Sequence, residues 1–223
     1  MLERREVAKR RKVNFAIMRM PAHIIPGDSQ ILALHERYAP TAQSLDVVYT
    51  HCVIVCQIAE QLLSRGFPGA GAVNAGLVRA GCLLHDIGVY RLYDEAGRLD
   101  EASYIRHGVL GHELLRAEGF TAGLCRFASC HTGVGITRQD VIRQRLPIPV
   151  ADYLAQTAEE ALVMYADKFH SKSSPPKFVS PQAYAASVRR FGEDKVATFE
   201  AMRARFGDPD LAAWSSPCQA NEA

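Results

Sequence analysis

Apolar residues recur along this chain at the three- and four-residue spacing of an α-helix. No stretch sustains the alternation, with β-branched residues and hairpin turns, that marks strands. The pattern predicts an all-α protein. After the loop-like "MPAHIIPGDS", with Asp28 or Ser29 as cap, a helix carries Ile31, Leu34, His35 and Tyr38 and stops before Pro40. A second is expected from about Leu45 to Ser64, with Val47, His51, Ile54, Ile58 and Leu62 as its apolar stripe, and a third from about Asn74 to His85. Beyond the polar loop "YRLYDEAGRLDEAS" the spacing predicts a helix from about Ser103 to Glu118 closed by Gly119, and another from Ala122 to His131. A long irregular connection with one short helix follows. The next helix opens with a capping box of Thr157 and Glu160 and holds Met164 and Asp167. "SKSSPPKF" breaks the pattern, and "SPQAYAASVRRFG" and "EDKVATFEAMRARFG" form a terminal helical pair, each opened by a capping signal and ended by Gly.

Length and composition narrow the class. At 223 residues one core is the default. The expected organisation is a basic segment and loop over 1–27, a helical domain over 28–172, and a C-terminal helical extension over 173–223 packed on the same domain. No uninterrupted apolar run approaches the roughly 18 residues of a membrane helix, so a soluble chain is expected. A formal net charge of +2 is too small to imply a polyanionic partner. The run "RREVAKRRK" reads as a solvated helix face rather than a nucleic-acid contact, and the following "VNFAIM" is too short for the apolar region of a signal peptide. The cysteines, Cys52, Cys56, Cys82, Cys125, Cys130 and Cys218, form no CxxC pair and read as small core hydrophobes in a reducing compartment. The expectation is a cytoplasmic protein without membrane or nucleic-acid partner, for which a homo-oligomer stays open.

The informative departures are polar residues on apolar faces. An amphipathic helix should send histidine and aspartate to water. Here His51 falls in register with Val47, Ile54 and Ile58, His85 lies a turn beyond Gly81, His107 shares a face with Leu110 and Leu114, His131 with Leu124 and Phe127, and Asp167 with Val163 and Met164. Asp86 adds a sixth group. One such histidine alone is most simply a hydrogen-bonded core residue. Burying six titratable groups without a partner would cost several kcal/mol each, whereas a divalent cation accepts neutral imidazoles and compensates the carboxylates. Imidazole and carboxylate donors without thiolate suit Fe, Mn, Co, Ni or Zn, and six exceed what one four-coordinate zinc needs. Two metals sharing Asp86 fit the count better.

The ordered series His51, then His85-Asp86 in "LLHDIG", then His107 in "IRHGVLGHELLR", His131 in "CHTG" and Asp167 in "YADKF" resembles the HD-domain superfamily of metal-dependent phosphohydrolases. The resemblance spans about Thr50 to Lys172. It implies that His51, His85, Asp86 and Asp167 hold a first metal, and that His107 and His131 match the extra histidines of dinuclear branches, with Asp86 bridging. Those branches include symmetrical diadenosine tetraphosphate hydrolases, cyclic-dinucleotide phosphodiesterases and a few diiron oxygenases. Val89 stands where a lysine often follows HDIG, and the GYP motif of cyclic di-GMP enzymes is missing. His112 is the alternative to His107; it shares its face with Gly108 and Arg116, which favours a surface or supporting position. Gly88 reads as the turn that frees the chain after the ligands.

The chemistry implied is hydrolysis of a phosphate ester or anhydride of a nucleotide or small metabolite, through hydroxide activated between two divalent ions about 3.5 to 4 Å apart. Asp86 and Lys168 are the expected catalytic groups. Thr132, Arg138, Lys172 and Arg106 are the candidates for substrate contact, and Asp94, Glu95 and Asp100 form a polar loop near the site. A diiron oxygenase, or a metal or nucleotide sensor without turnover, uses the same ligand set and stays open.

Overall fold

The computed structural model describes residues 25–172 and 176–215. The basic run "RREVAKRRK" and Cys218 lie outside them. Helix α1 (Asp28–Tyr38) starts at Gly27, whose N–H donates to the Gln30 side chain. Asp28, an expected cap, instead accepts from Arg79 at 2.9 Å. Helix α2 (Ala42–Arg65) begins one turn earlier than the pattern suggested, because Thr41 accepts the Ser44 N–H at 3.0 Å and holds the first turn. Gly66, at φ 78°, ends it.

The buried stripe of α2 is Val48, Cys52, Val55, Ala59 and Leu62 with His51 and Ile58 beside it, rotated from the expected one; Val47 is 37% exposed. The rotation follows from packing, since α2 presses against both α3 (Ala75–Leu84) and α7 (Ala158–Ala166) rather than one neighbour. By length and composition α2 is the one helix among the described residues able to cross a membrane. Here it carries the central wall of the core.

Asn74 caps α3 through Leu77 N–H at 3.0 Å, and a 3-10 segment, Ile87–Leu92, follows. The helix expected from Ser103 is a 3-10 turn, Tyr104–Arg106, leading into α4 (His107–Ala117), which Gly119 closes at φ 84°. Then come α5 (Ala122–Ser129), capped by Thr121, and α6 (Arg138–Gln144), with the reciprocal Thr137–Asp140 box. In α7 the Thr157 hydroxyl accepts from Glu160 N–H, but the Glu160 carboxylate turns to Gln156 N–H and Arg126, so the expected box is half formed.

After α7 the chain makes a 3-10 turn, Asp167–Phe169. "SKSSPPKF" does more than break the helical pattern: its first residue belongs to β1 (His170–Ser171) and its last two form β2 (Lys177–Phe178), a short antiparallel pair with His170 opposite Phe178. Among the described residues the fold is all-α apart from this pair. Helices α8 (Pro181–Val188), capped by Ser180, and α9 (Glu193–Phe206) return to the core, and α10 (Ala212–Ser215) ends the description. Helix α9 starts at Gly192 (φ 132°) with no side-chain cap, unlike its expected signal. Val188, Phe199 and Phe206 belong to the same cluster as Ile31, Ile58, Leu115 and Phe169.

Two close approaches set the site's frame. A Cβ on Gly88 would fall well inside 3.0 Å of the His107 carbonyl and the Gly111 N–H, and 2.7 Å from Gly111 Cα. Gly88 is therefore not the expected free turn but the point where α4 lies on the 3-10 segment. Gly111 in turn would place a Cβ 2.9 Å from that of Ala128, so α4 and α5 also pack at glycine distance.

Candidate metal centre

The six candidate ligands occupy the middle of one helix and the ends of four others. His51 sits within α2, His85 and Asp86 directly follow α3, His107 opens α4, His131 follows α5 and Asp167 follows α7. Ends suit the purpose because side chains there are free of the helix's own flanks. His51, His85, Asp86, His107 and His131 are all buried.

They form two groups sharing Asp86. His51 Nε2 lies 3.2 Å from His85 Nε2 and 3.0 Å from Asp167 Oδ1, and Asp86 Oδ2 faces both imidazoles at 3.3 and 3.4 Å. His107 Nε2 and His131 Nε2 are 2.9 Å apart and face Asp86 Oδ1 at 3.6 and 3.4 Å. Donors on a cation with bonds of about 2.1 Å stand roughly 3.0 Å apart at right angles and about 3.4 Å at the tetrahedral angle. The spacings here match.

The protons are arranged for it. His85 Nδ1 contacts the Cys82 carbonyl at 2.6 Å, His107 Nδ1 that of Tyr104 at 2.6 Å, and His131 Nδ1 that of Ala128 at 2.7 Å. A carbonyl accepts only, so each Nδ1 carries hydrogen, and the neutral rings of His107 and His131 aim their Nε2 lone pairs at Asp86. Burial, with Lys172 nearby, holds His51 at about 3, and burial holds His107 at about 4. Burial also lowers His131. Burial opposes charge on His85 and Asp86 as well, but their mutual attraction prevails, so His85 is raised, while Lys172 and His85 together keep Asp86 ionised well below the carboxylate range. Asp167 is likewise held low against burial by Lys168.

Asp86 Oδ1 is the one buried side-chain oxygen or nitrogen among the described residues with no hydrogen-bond partner. It confronts two neutral imidazole nitrogens, lone pair to lone pair. A cation among these donors turns each repulsion into a bond, and the neutral-nitrogen, ionised-oxygen set fits a hard or borderline divalent metal.

Two groups not assigned to the site from the sequence complete the surroundings. His170 Nδ1 lies 2.8 Å from His51 Nδ1, with the rings stacked at 5.1 Å. His51 alone among the four ligand histidines has an imidazole, not a carbonyl, behind it. The signal was available, since His170 sits three residues past Asp167 in "DKFH". His35, buried on α1, touches the Leu83 carbonyl at 2.7 Å and the Tyr90 hydroxyl at 2.8 Å, bracing the end of α3.

Lys168 Nζ donates to Asp167 Oδ2 at 2.7 Å and to the His131 carbonyl at 3.1 Å. Lys172 donates to Asp86 Oδ2 and lies over the Tyr104 ring. Both line a cavity of about 730 Å³ beside the cluster, as do Asp167 and His170. The other expected substrate residues are not brought there. Arg106 is exposed before α4, and Arg138 is exposed at the start of α6, its N–H bound to Asp152 at 2.7 Å. The Thr132 carbonyl closes a turn with Gly135 N–H. His112 lies on the far side of α4, its Nδ1 3.0 Å from Ser129 Oγ, and does not join the cluster. Asp94 and Asp100 close loop turns, while their chain neighbours Tyr93, Leu99 and Glu101 reach the cavity.

A family model described as the HD domain matches residues 48–172, which hold all six candidate ligands, and the chain belongs to the HD-domain family. It is 39% identical over 120 residues to the uncharacterized protein MJ0778 of Methanocaldococcus jannaschii, covering 54% of this chain and 64% of that protein. It is 37% identical over 95 residues to a tRNA (cytidine(56)-2'-O)-methyltransferase of Picrophilus torridus, covering 43% of this chain but 24% of that one. The chain thus spans less than two thirds of these curated relatives. The HD domain of the L. monocytogenes phosphodiesterase PgpH superposes with a TM-score of 0.46 at 17% identity, over 77% of this chain and 94% of that domain.

Proposed function

We propose that this chain is a metal-dependent phosphohydrolase that holds two divalent cations and hydrolyses a phosphate ester or anhydride of a small metabolite. The observation that carries the proposal is the division of Asp86, one carboxylate oxygen facing His51 and His85, the other facing His107 and His131. Membership of the HD-domain family supports the same reading.

Bound at the two groups, divalent cations supply Lewis acidity toward phosphoryl oxygens and lower the pKa of water. The chain's own part is to fix their donors and to place cations around the phosphoryl group. Lys168 and Lys172, both at the cavity floor, are positioned to turn from their carboxylates toward non-attacked oxygens as charge builds there. In the reaction a water oxygen bonds to phosphorus, the bond to the leaving oxygen breaks with its electron pair, and a proton from the water ends on that oxygen.

The test is a screen of phosphomonoesters, phosphodiesters and dinucleoside polyphosphates on metal-replete protein with Mn, Co or Fe, beside an Asp86→Ala control. Turnover that the control lacks supports the proposal. Intact substrates at full metal loading would sink it, and an oxygen-reactive mixed-valent diiron centre would turn the reading to an oxygenase.

A further inference from the structure

The cavity beside the cluster is built from two parts of the chain. Its volume of about 730 Å³ lies within the range of roughly 300–1,000 Å³ typical of small-molecule sites. One side comes from the HD-matched stretch, with Val47, Val89 and Tyr104 among its residues. The rest of the wall includes Val179 and, from α8, Ala183, Tyr184 and Ser187, all beyond the matched stretch. This part of the wall, which also packs on the turn carrying Asp167 and Lys168, therefore belongs to a segment the family match does not include.

The charges lining this space are few. Among the described residues Lys168 and Lys172 are its only cations, and each already contacts an aspartate of the cluster. Beyond the cluster the one charged lining group is Glu101. A single phosphoryl group at the metals is thus served by both lysines. Among the described residues a second or third phosphate would meet Glu101, Val47 and Leu99 and no further cation to compensate its desolvation. What the walls offer is aliphatic surface and the rings of Tyr93, Tyr104 and Tyr184. Tyr184 is held by Phe199 at 4.8 Å between ring centres.

From this we infer that the substrate is a phosphomonoester of an apolar, ring-bearing alcohol, and that α8, through Ala183 and Tyr184, selects it. The inference rests on the hydrolase reading and narrows it from esters and anhydrides in general to one phosphate on an apolar body. Ala183 sets the depth available to that body, since its methyl group lies on the exposed side of α8 and a larger side chain there fills the cavity without entering the core. Tyr184 supplies a face for the ring to pack on, and discrimination of this kind is worth about 10–200-fold per group in an apolar pocket.

The experiment measures kcat/KM of the metal-replete full chain for 1-naphthyl phosphate, phenyl phosphate, glycerol 3-phosphate and ATP, with calorimetric binding of 1-naphthylmethylphosphonate. Naphthyl phosphate should exceed glycerol 3-phosphate and ATP by about tenfold or more. Ala183→Phe should cut the naphthyl value at least about tenfold while changing glycerol 3-phosphate less than about twofold, at unchanged metal content. Ser187→Phe, also on the exposed side of α8, stands in if that variant does not fold. A preference for ATP or glycerol 3-phosphate, or equal effects on all four compounds, overturns the inference and leaves the hydrolase reading intact. No hydrolysis, but phosphonate binding that Ala183→Phe abolishes, overturns the hydrolase reading and keeps the assignment of the pocket. Neither turnover nor binding overturns both.

Discussion

Replacing Gly88 by alanine should strike both stability and the second metal group. The added Cβ would sit well inside 3.0 Å of the His107 carbonyl and Gly111 N–H and 2.7 Å from Gly111 Cα. All three are backbone atoms of α4, so no side-chain rotation relieves the clash and the helix itself must move. Inserting one carbon into a packed contact costs about 1–3 kcal/mol, and a backbone contact belongs at the upper end. For a chain of this length about 3 kcal/mol lowers Tm by roughly 6–12 °C. His107 is the first residue of the displaced helix, so its Nε2 loses register with His131 and Asp86. Metal titration should then show one tight cation and a weakened second. Gly71→Ala is the control, because nothing lies within 4 Å of its Cβ, and its stability should stay within about 0.5 kcal/mol of the parent. A Gly88→Ala protein as stable as Gly71→Ala, with two equally tight cations, would refute the reasoning.

Three further outcomes are expected. His170→Phe keeps a ring against His51 but removes the acceptor for its Nδ1–H, and metal affinity measured by chelator competition should fall about 10–100-fold, with partial recovery in His170→Asn; an unchanged affinity would rule out that role. Asp86→Asn should lower kcat/KM by about 10³-fold or more, the several kcal/mol of metal-supplied charge stabilisation, and parental rates would exclude the bridging role. Burial lowers His35 from 6.5 to about 4, so as pH falls the unfolded chain takes up this proton first. The stabilisation, roughly 3 kcal/mol, is fully present above about pH 6.5 and is lost progressively down to about pH 4. Urea unfolding of His35→Gln should show the pH slope over that window reduced by about one proton, and an unaltered slope would contradict the assignment.

The helices and the six-residue constellation were legible because the signal is chemical: imidazole and carboxylate on apolar faces are costly enough that their repetition implies a partner. Boundaries were less legible. The stripe of α2 turned because the helix serves two neighbours, which periodicity read one helix at a time does not contain. Gly88 was taken for a turn because a glycine required by a neighbouring backbone and one required by its own dihedral look alike in sequence. His170 escaped notice because it lies in the short β1 strand beyond the helical pattern, where only its spacing of three residues from Asp167 marks it. Arg106 and Arg138 were reasonable cations by proximity to His107 and His131 along the chain, yet both are exposed, and the cavity takes its cations from Lys168 in the turn after α7 and Lys172 just past β1.

The most direct test of the account is the number of divalent cations held per chain, measured by elemental analysis and anomalous diffraction on protein loaded with Mn or Fe. The prediction is two cations, one among His51, His85, Asp86 and Asp167, the other among Asp86, His107 and His131, with both weakened in Asp86→Ala. A single cation that leaves His107 and His131 unligated, or an Asp86→Ala protein that still holds two, would contradict it.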